Sequence, residues 1–290
     1  MKKLLILSGK GGTGKTTTAA AFMRFSEARA LADCDVDAPN LHLVAGVTSA
    51  PETSDFIGSE KAVVDASRCI GCGKCAEHCR FDAMTRTEDG TYASNPVACE
   101  GCGVCAYVCP AQAVTLEPDV AGKQMLYRDS GRVFSTARLR MGRGNSGKLV
   151  SAVKSALFAA APTDAELAVI DGSPGIGCPV IASVSGVDLV LAVAEPSVSG
   201  LSDLSRLEHT ADMLGSRLAV CINKWDVAPE AAAAIETFCT EHGLPFAGRI
   251  PYDKAAFAAI NAGHSLADID CPARTALLDV YHQVRTLLQL

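Results

Sequence analysis

Two groups of residues in this chain have the types and spacing to do chemistry. The first is Gly9-Lys10-Gly11-Gly12-Thr13-Gly14-Lys15-Thr16-Thr17, set between the apolar run Leu4 to Leu7 and an alanine-rich stretch from Ala19. Glycines let successive backbone N–H groups converge, and a helix beginning there adds its positive end, so strand, turn and helix together make a phosphate cradle. The G-x-x-x-x-G-K-T spacing sends Lys15 to the β- and γ-phosphates and the Thr16 hydroxyl to Mg²⁺. The second group is cysteine. Runs at 69, 72, 75 and 79 and at 99, 102, 105 and 109 repeat with an offset of 30 residues and align without a gap. In C-x₂-C-x₂-C-x₃-C, three thiolates on a tight loop can cap three irons of a cubane, and the fourth points at another cluster. A zinc ribbon also uses C-x₂-C, but it needs two pairs per metal rather than two runs of four.

Acids extend the first group. Asp33-Cys34-Asp35-Val36-Asp37 follows the short apolar segment from Ala30, and Leu167 to Asp171 is an apolar strand ending in an acid, followed by Gly172-Ser173-Pro174-Gly175-Ile176-Gly177-Cys178. Carboxylates at strand ends beside a phosphate loop can hold Mg²⁺ through water or orient an attacking water. A solvated acidic loop is the alternative for residues 33 to 37. Glycines after Asp171 would let that segment change shape with the γ-phosphate.

Lys10 is a second lysine inside the loop, and with it the chain resembles the deviant Walker A ATPases of the MinD/Mrp family. The resemblance implies an ATP- and Mg²⁺-dependent dimer, either a homodimer or a heterodimer with a similar ATPase, in which Lys10 crosses to the partner's nucleotide. It also implies catalytic roles for Lys10, Lys15 and Asp35, with Asp35 at the water and Asp171 holding Mg²⁺ through water. Gly9, Gly11, Gly12, Thr13, Gly14, Thr16 and Thr17 would then line the nucleotide. Asn223-Lys224-Trp225-Asp226 is similar to the guanine-reading motif of GTPases, whereas the MinD-type resemblance assigns Asn223 to adenine and has Gly248 to Tyr252 close over the base.

The cysteine unit resembles a bacterial two-cluster ferredoxin. Carried over by position, Cys69, Cys72, Cys75 and Cys109 hold one [4Fe–4S] cluster, and Cys99, Cys102, Cys105 and Cys79 the other. Arg80 departs from the pattern where the second run has Pro110. Cys178, seven residues after Asp171, is spaced as one cluster cysteine of the nitrogenase iron protein, but it has no second counterpart. It is therefore a transient metal or substrate ligand or a small buried residue, and Cys34, Cys221, Cys239 and Cys271 are core.

The two resemblances together cover essentially the whole chain and imply an α/β fold: a doubly wound, mostly parallel sheet forming a P-loop ATPase (1–59 and 121–290), with a small α+β ferredoxin-like domain inserted at 60–120. Residues 121 to 147, rich in Gly, Arg and Ser, are the expected return connection, with Ser146 or Gly147 capping the next helix and Ser199 a later one. With 290 residues and 49% hydrophobic content but only 5% aromatic, Ala, Val and Leu must carry the core. A net charge of −6 without a basic run leaves nucleic acid no electrostatic foothold. No apolar run approaches roughly 18 residues, and the first residues form a core strand rather than a signal peptide, so a cytoplasmic protein without stable membrane association is expected. Leu277, Tyr281, Val284 and Leu288 form one helical stripe that should dock on the sheet. The expected function is ATP hydrolysis by an iron–sulfur protein in assembly or delivery of an iron–sulfur or mixed-metal cofactor, with ferredoxin-type electron supply. The expected partner is an iron–sulfur or metal-cofactor protein. The alternatives are an ATP-gated electron donor to a separate redox acceptor, or a positioning ATPase with structural clusters.

Overall fold

A computed structural model describes residues 1–290. In chain order the strands are β1 (Lys2–Leu7), β2 (Ala30–Asp33), β3 (Glu52–Ile57), β4 (Lys61–Val64), β5 (Met84–Arg86), β6 (Tyr92–Ser94), β7 (Val114–Glu117), β8 (Val120–Asp129), β9 (Arg132–Leu139), β10 (Leu167–Asp171), β11 (Leu189–Ala194), β12 (Leu218–Asn223) and β13 (Phe246–Ile250). The helices are α1 (Lys15–Phe25), α2 (Lys74–Glu77), α3 (Val104–Tyr107), α4 (Ser146–Ala160), α5 (Cys178–Val184), α6 (Val198–Met213), α7 (Pro229–Glu241), α8 (Lys254–Asn261) and α9 (Pro272–Leu288). The chain divides into a unit of residues 1–53, 124–138 and 146–290 and a unit of residues 54–123 and 139–145.

The first unit is built on a sheet of order β13-β12-β11-β1-β10-β2-β9-β8. The pairs from β13 through β9 are parallel. Central strands of such a sheet are covered on both faces and must be apolar throughout. Leu4, Leu5, Ile6 and Leu7 of β1 and Val169 and Ile170 of β10 are accordingly fully buried. The C-terminal stripe of Leu277, Tyr281, Val284 and Leu288 is buried in the main core, with Tyr281 edge-on to Phe22 of α1. Cys34, Cys221, Cys239 and Cys271 are core residues, as their spacing suggested.

The stretch 121–147 is not the irregular return expected from its composition. β8 and β9 lie side by side in the sheet, joined by Ser130-Gly131, both with positive φ (50° and 79°). A two-residue turn of that hand matches the twist of a hairpin, and Val133, Phe134, Ser135, Thr136 and Ala137 of β9 are buried. Two caps also differ. The N-cap of α6 is Ser197, whose hydroxyl accepts from the Gly200 N–H at 3.0 Å, rather than Ser199. Ser146 is the first residue of α4.

The second unit consists of two β-α-β halves, β4-α2-β5 and β6-α3-β7, which interlock: β4 pairs antiparallel with β7, and β5 with β6. The halves share their local hydrogen bonds at the offset of 30 residues. Cys69 N–H donates to the Asp65 carbonyl and Cys99 N–H to the Asn95 carbonyl, each at 3.0 Å. Arg143 fastens the unit's last segment through Asp119 (3.1 Å) and the Pro96 carbonyl (2.6 Å).

Candidate functional site

In the first unit, β1 runs into the glycine turn and α1 begins at Lys15, with Gly14 as N-cap at φ 97°. Glycine is required there twice over, because a Cβ on Gly14 would come within 2.2 Å of the Asn223 side-chain nitrogen. That amide donates to the Thr13 carbonyl at 2.7 Å, and the Lys224 ammonium donates to the Gly12 carbonyl at 3.2 Å. The end of β12 thus braces the loop from outside. Lys224 is a loop contact that sequence reasoning passed over, although it stands inside the N-K-x-D motif.

A cavity of about 400 Å³ lies over the loop. It is lined by Ser8, Lys10, Gly11, Gly12, Gly14, Lys15, Thr16 and Thr17 of the loop and by Asn223, Ile250, Pro251, Tyr252 and Phe257. Asp35 and Asn40 also border it. A Cβ on Gly11 would meet nothing within 4 Å, so the loop backbone faces free space, which suits a phosphate-bearing ligand. Gly9 and the buried Thr13, whose hydroxyl has no hydrogen-bond partner, border a separate small cavity with Glu195 and Asp203 instead.

Charge at the base of the cavity is concentrated in three buried groups. Lys15 donates to Asp171 at 2.6 Å and Thr16 to the other Asp171 oxygen at 2.7 Å. Parallel register sets Asp33 directly beside Asp171. Burial, then the Asp171 charge, pushes the Asp33 carboxyl up to about 7. Burial also raises Asp171 against the pull of Lys15, and burial raises Asp35 as well. Asp33 accepts from the N–H groups of Asp35, Asn40 and Leu41, each at 3.0 Å, so it organises the loop that carries Asp35 rather than facing a ligand. Asp37 is exposed.

Because the folded-state value of Asp33 lies above 3.8, its contribution to stability is present at low pH and is lost as pH rises through about 7. Asp33→Asn is expected to remove that slope while costing about 1–3 kcal/mol for an N–H left without its acceptor. Urea unfolding at pH 5.5, 7 and 8.5 checks both.

Lys10 is held within its own chain, by Glu195 at 3.0 Å and Ser199 at 3.2 Å. Glu195 also pairs with Lys224 at 3.5 Å. Cys178, at the start of α5, is exposed, so the small-buried-residue alternative does not hold.

In the second unit, Cys69, Cys72 and Cys75 of the first run line one cavity together with Cys109 of the second, alongside Tyr92 and Val114. No three Cys, His, Asp or Glu side chains gather around a single point as one metal ion requires. The four cysteines stand around a space instead. Cys75, Cys99 and Cys105 are buried in the unit's core, with Cys79 and Cys109 packed against it. Burial raises the Cys75 and Cys105 thiols, and the charges of Cys69 and Cys72, and of Cys99 and Cys102, raise them further. Backbone N–H groups already point at sulfur: Ala83 at Cys79 (3.4 Å), Ala113 at Cys109 (3.3 Å) and Gly101 at Cys99 (3.4 Å). Gly71 and Gly101 have positive φ, and a Cβ there would strike the carbonyls of Gly90 and Glu60 at 2.6 and 2.1 Å. His78 is exposed.

The model of the CobQ/CobB/MinD/ParA nucleotide-binding domain matches residues 4–266. An uncharacterized protein of Methanocaldococcus jannaschii is 38% identical over 234 residues, covering 77% of this chain and 78% of its own. An uncharacterized ATP-binding protein of the same organism is 24% identical over 283 residues, 96% of this chain and 85% of its own. Among solved structures, the cell-division ATPase MinD of Pyrococcus furiosus aligns with a TM-score of 0.59 at 18% identity over 99% of both chains. The septum site-determining protein MinD of Pyrococcus horikoshii, in complex with Mg-ADP, aligns at 0.57 and 17% identity, over 99% of this chain and 96% of that one. No helix is long and apolar enough to cross a membrane. The mostly parallel sheet, the braced phosphate loop and the match over residues 4–266 lead to one conclusion: the chain belongs to the CobQ/CobB/MinD/ParA nucleotide-binding family.

Proposed function

We propose that the chain is a Mg²⁺-dependent ATPase whose second unit holds two [4Fe–4S] clusters, and that it serves the assembly or delivery of an iron–sulfur or mixed-metal cofactor, with the clusters supplying electrons. The observation that carries the iron–sulfur part is the cavity shared by Cys69, Cys72, Cys75 and Cys109, because residues from both runs surround one space. By the repeat, Cys99, Cys102, Cys105 and Cys79 form the other set. Cys72 and Cys102 are exposed, but each set has members buried in the unit's core, Cys75 in one and Cys99 and Cys105 in the other, which suits resident clusters rather than cargo and is why electron supply is the role assigned to them.

The nucleotide chemistry belongs to the chain's own residues. Lys15 exchanges Asp171 for phosphate, leaving the Thr16 hydroxyl and the Asp171 carboxylate on the side where Mg²⁺ would be held. The metal there neutralises charge on the transferring group. Asp35 orients the water, and burial raises its carboxyl above the ordinary carboxylate value. Asn223 and the segment Ile250 to Tyr252, which line the same cavity, are assigned to adenine. Lys10 reaches a second subunit's nucleotide by leaving Glu195 and Ser199, which makes turnover depend on dimer formation.

The test has two readouts on the anaerobically purified full-length chain: phosphate release from ATP with and without Mg²⁺, and an EPR redox titration with and without a non-hydrolysable ATP analogue. Mg²⁺-dependent release together with cluster potentials that nucleotide leaves unmoved is the expected result. Nucleotide-shifted potentials would replace assembly by gated electron donation, and absence of phosphate release would remove the ATPase.

A further inference from the structure

The two halves of the second unit are alike in sequence spacing and hydrogen bonding, so any charge present in one alone stands out. The amide-to-sulfur bonds to Cys79 and Cys109 are common to both halves (3.4 and 3.3 Å). Lys61 is not. It lies in β4 with 8% of its surface exposed, and its ammonium donates to the carbonyl of Cys99. The neighbouring Ala62 N–H points at the Cys99 sulfur at 3.5 Å. Thirty residues on, the counterparts are Thr91 and Tyr92. The Thr91 hydroxyl donates to the Asp89 carboxylate at 2.8 Å, and Tyr92 lines the cavity of Cys69, Cys72, Cys75 and Cys109. One cysteine set therefore has a buried cation against its first ligand residue, and the other has an aromatic ring and a neutral hydroxyl. Of the unit's other cations, Arg80, next to Cys79 in the chain, is exposed, and Arg143, which donates to the Pro96 carbonyl, is paired with Asp119 at 3.1 Å.

Resting on the iron–sulfur reading above, we propose that Lys61 makes the two centres unequal, raising the reduction potential of the centre held by Cys99, Cys102, Cys105 and Cys79 so that an electron entering the unit settles there. Reduction adds one negative charge, and a fixed positive charge favours it. A buried charge acts through weakly polarisable protein, whereas solvent and salt screen an exposed one, so Lys61 outweighs Arg80.

The experiment is iron and sulfide analysis followed by an EPR-monitored dithionite titration of the anaerobic full-length protein and of K61M, K61R and R80Q. Wild type is expected to show two separated one-electron waves. K61M should lower the upper wave alone, cutting its reduced-to-oxidised ratio at the wild-type midpoint about tenfold, or about 59 mV. K61R should keep the separation, and R80Q should move the upper wave less than K61M. Two clusters with an upper wave unmoved in K61M, or with both waves moved equally, would overturn the proposal and leave the iron–sulfur reading standing. Wild-type protein that binds no iron would overturn both. K61R separates charge from structure, because a merely structural role would be lost in both lysine variants.

Discussion

Replacing Lys15 with alanine is expected to lower ATP turnover about 10²–10³-fold and to destabilise the protein by about 3–5 kcal/mol. The first effect follows from removing the ammonium assigned to the phosphates. The second follows from what Lys15 does in the fold: it is the buried cation beside two buried carboxylates, bonded to Asp171 at 2.6 Å, with Asp33 in register next to Asp171. Without it, both acids lose the charge that favours their ionised forms. Asp33, already near 7, rises further, so the lost stability grows as pH increases. Thermal unfolding at pH 5.5 and 8.5, with phosphate release measured in parallel, checks both parts. K15A/D171N is expected to recover much of the stability and none of the turnover, which separates the two roles.

The second large effect concerns the pairing of cysteines. Cys109→Ala is expected to remove one centre of two and to lower bound iron from about eight atoms per chain to about four. The double variants discriminate further. Cys69 and Cys109 border one cavity although they belong to different runs, so C69A/C109A should lose no more iron than either single variant. C69A/C79A takes one ligand from each set and should lose both centres. If each run of four cysteines held its own metal, the two double variants would exchange outcomes. Because metal binding is also folding energy for a small unit, C69A/C79A should also make residues 54–123 more sensitive to protease than C69A/C109A does.

What the sequence made legible was the local chemistry. The phosphate loop, the strand-end acids and the repeated cysteine spacing are contiguous motifs whose geometry is fixed by a few neighbouring residues, and the buried β1 and β10 could be read from uninterrupted apolar runs. What stayed hidden depends on register and on distant contacts. Asp33, Asp35 and Asp37 look alike in sequence, but only the pairing of β2 with β10 shows that Asp33 is buried against Asp171 while Asp37 faces solvent. Lys10 and Glu195 lie far apart along the chain and meet because β11 neighbours β1. The hairpin of β8 and β9 was concealed by its composition: Gly, Arg and Ser suggested a loop, whereas the positive-φ Ser130-Gly131 turn and the buried β9 residues are what make it part of the sheet. The brace from Asn223 and Lys224 onto the phosphate loop is likewise a meeting of strand ends that no local pattern announces.

The proposed joining of a nucleotide-binding unit and a two-centre iron–sulfur unit in one chain is tested most directly by iron and acid-labile sulfide per chain in the anaerobically purified protein. About eight of each is expected. Stoichiometric zinc without sulfide, or a chain that takes up no iron when offered iron and sulfide, would contradict it.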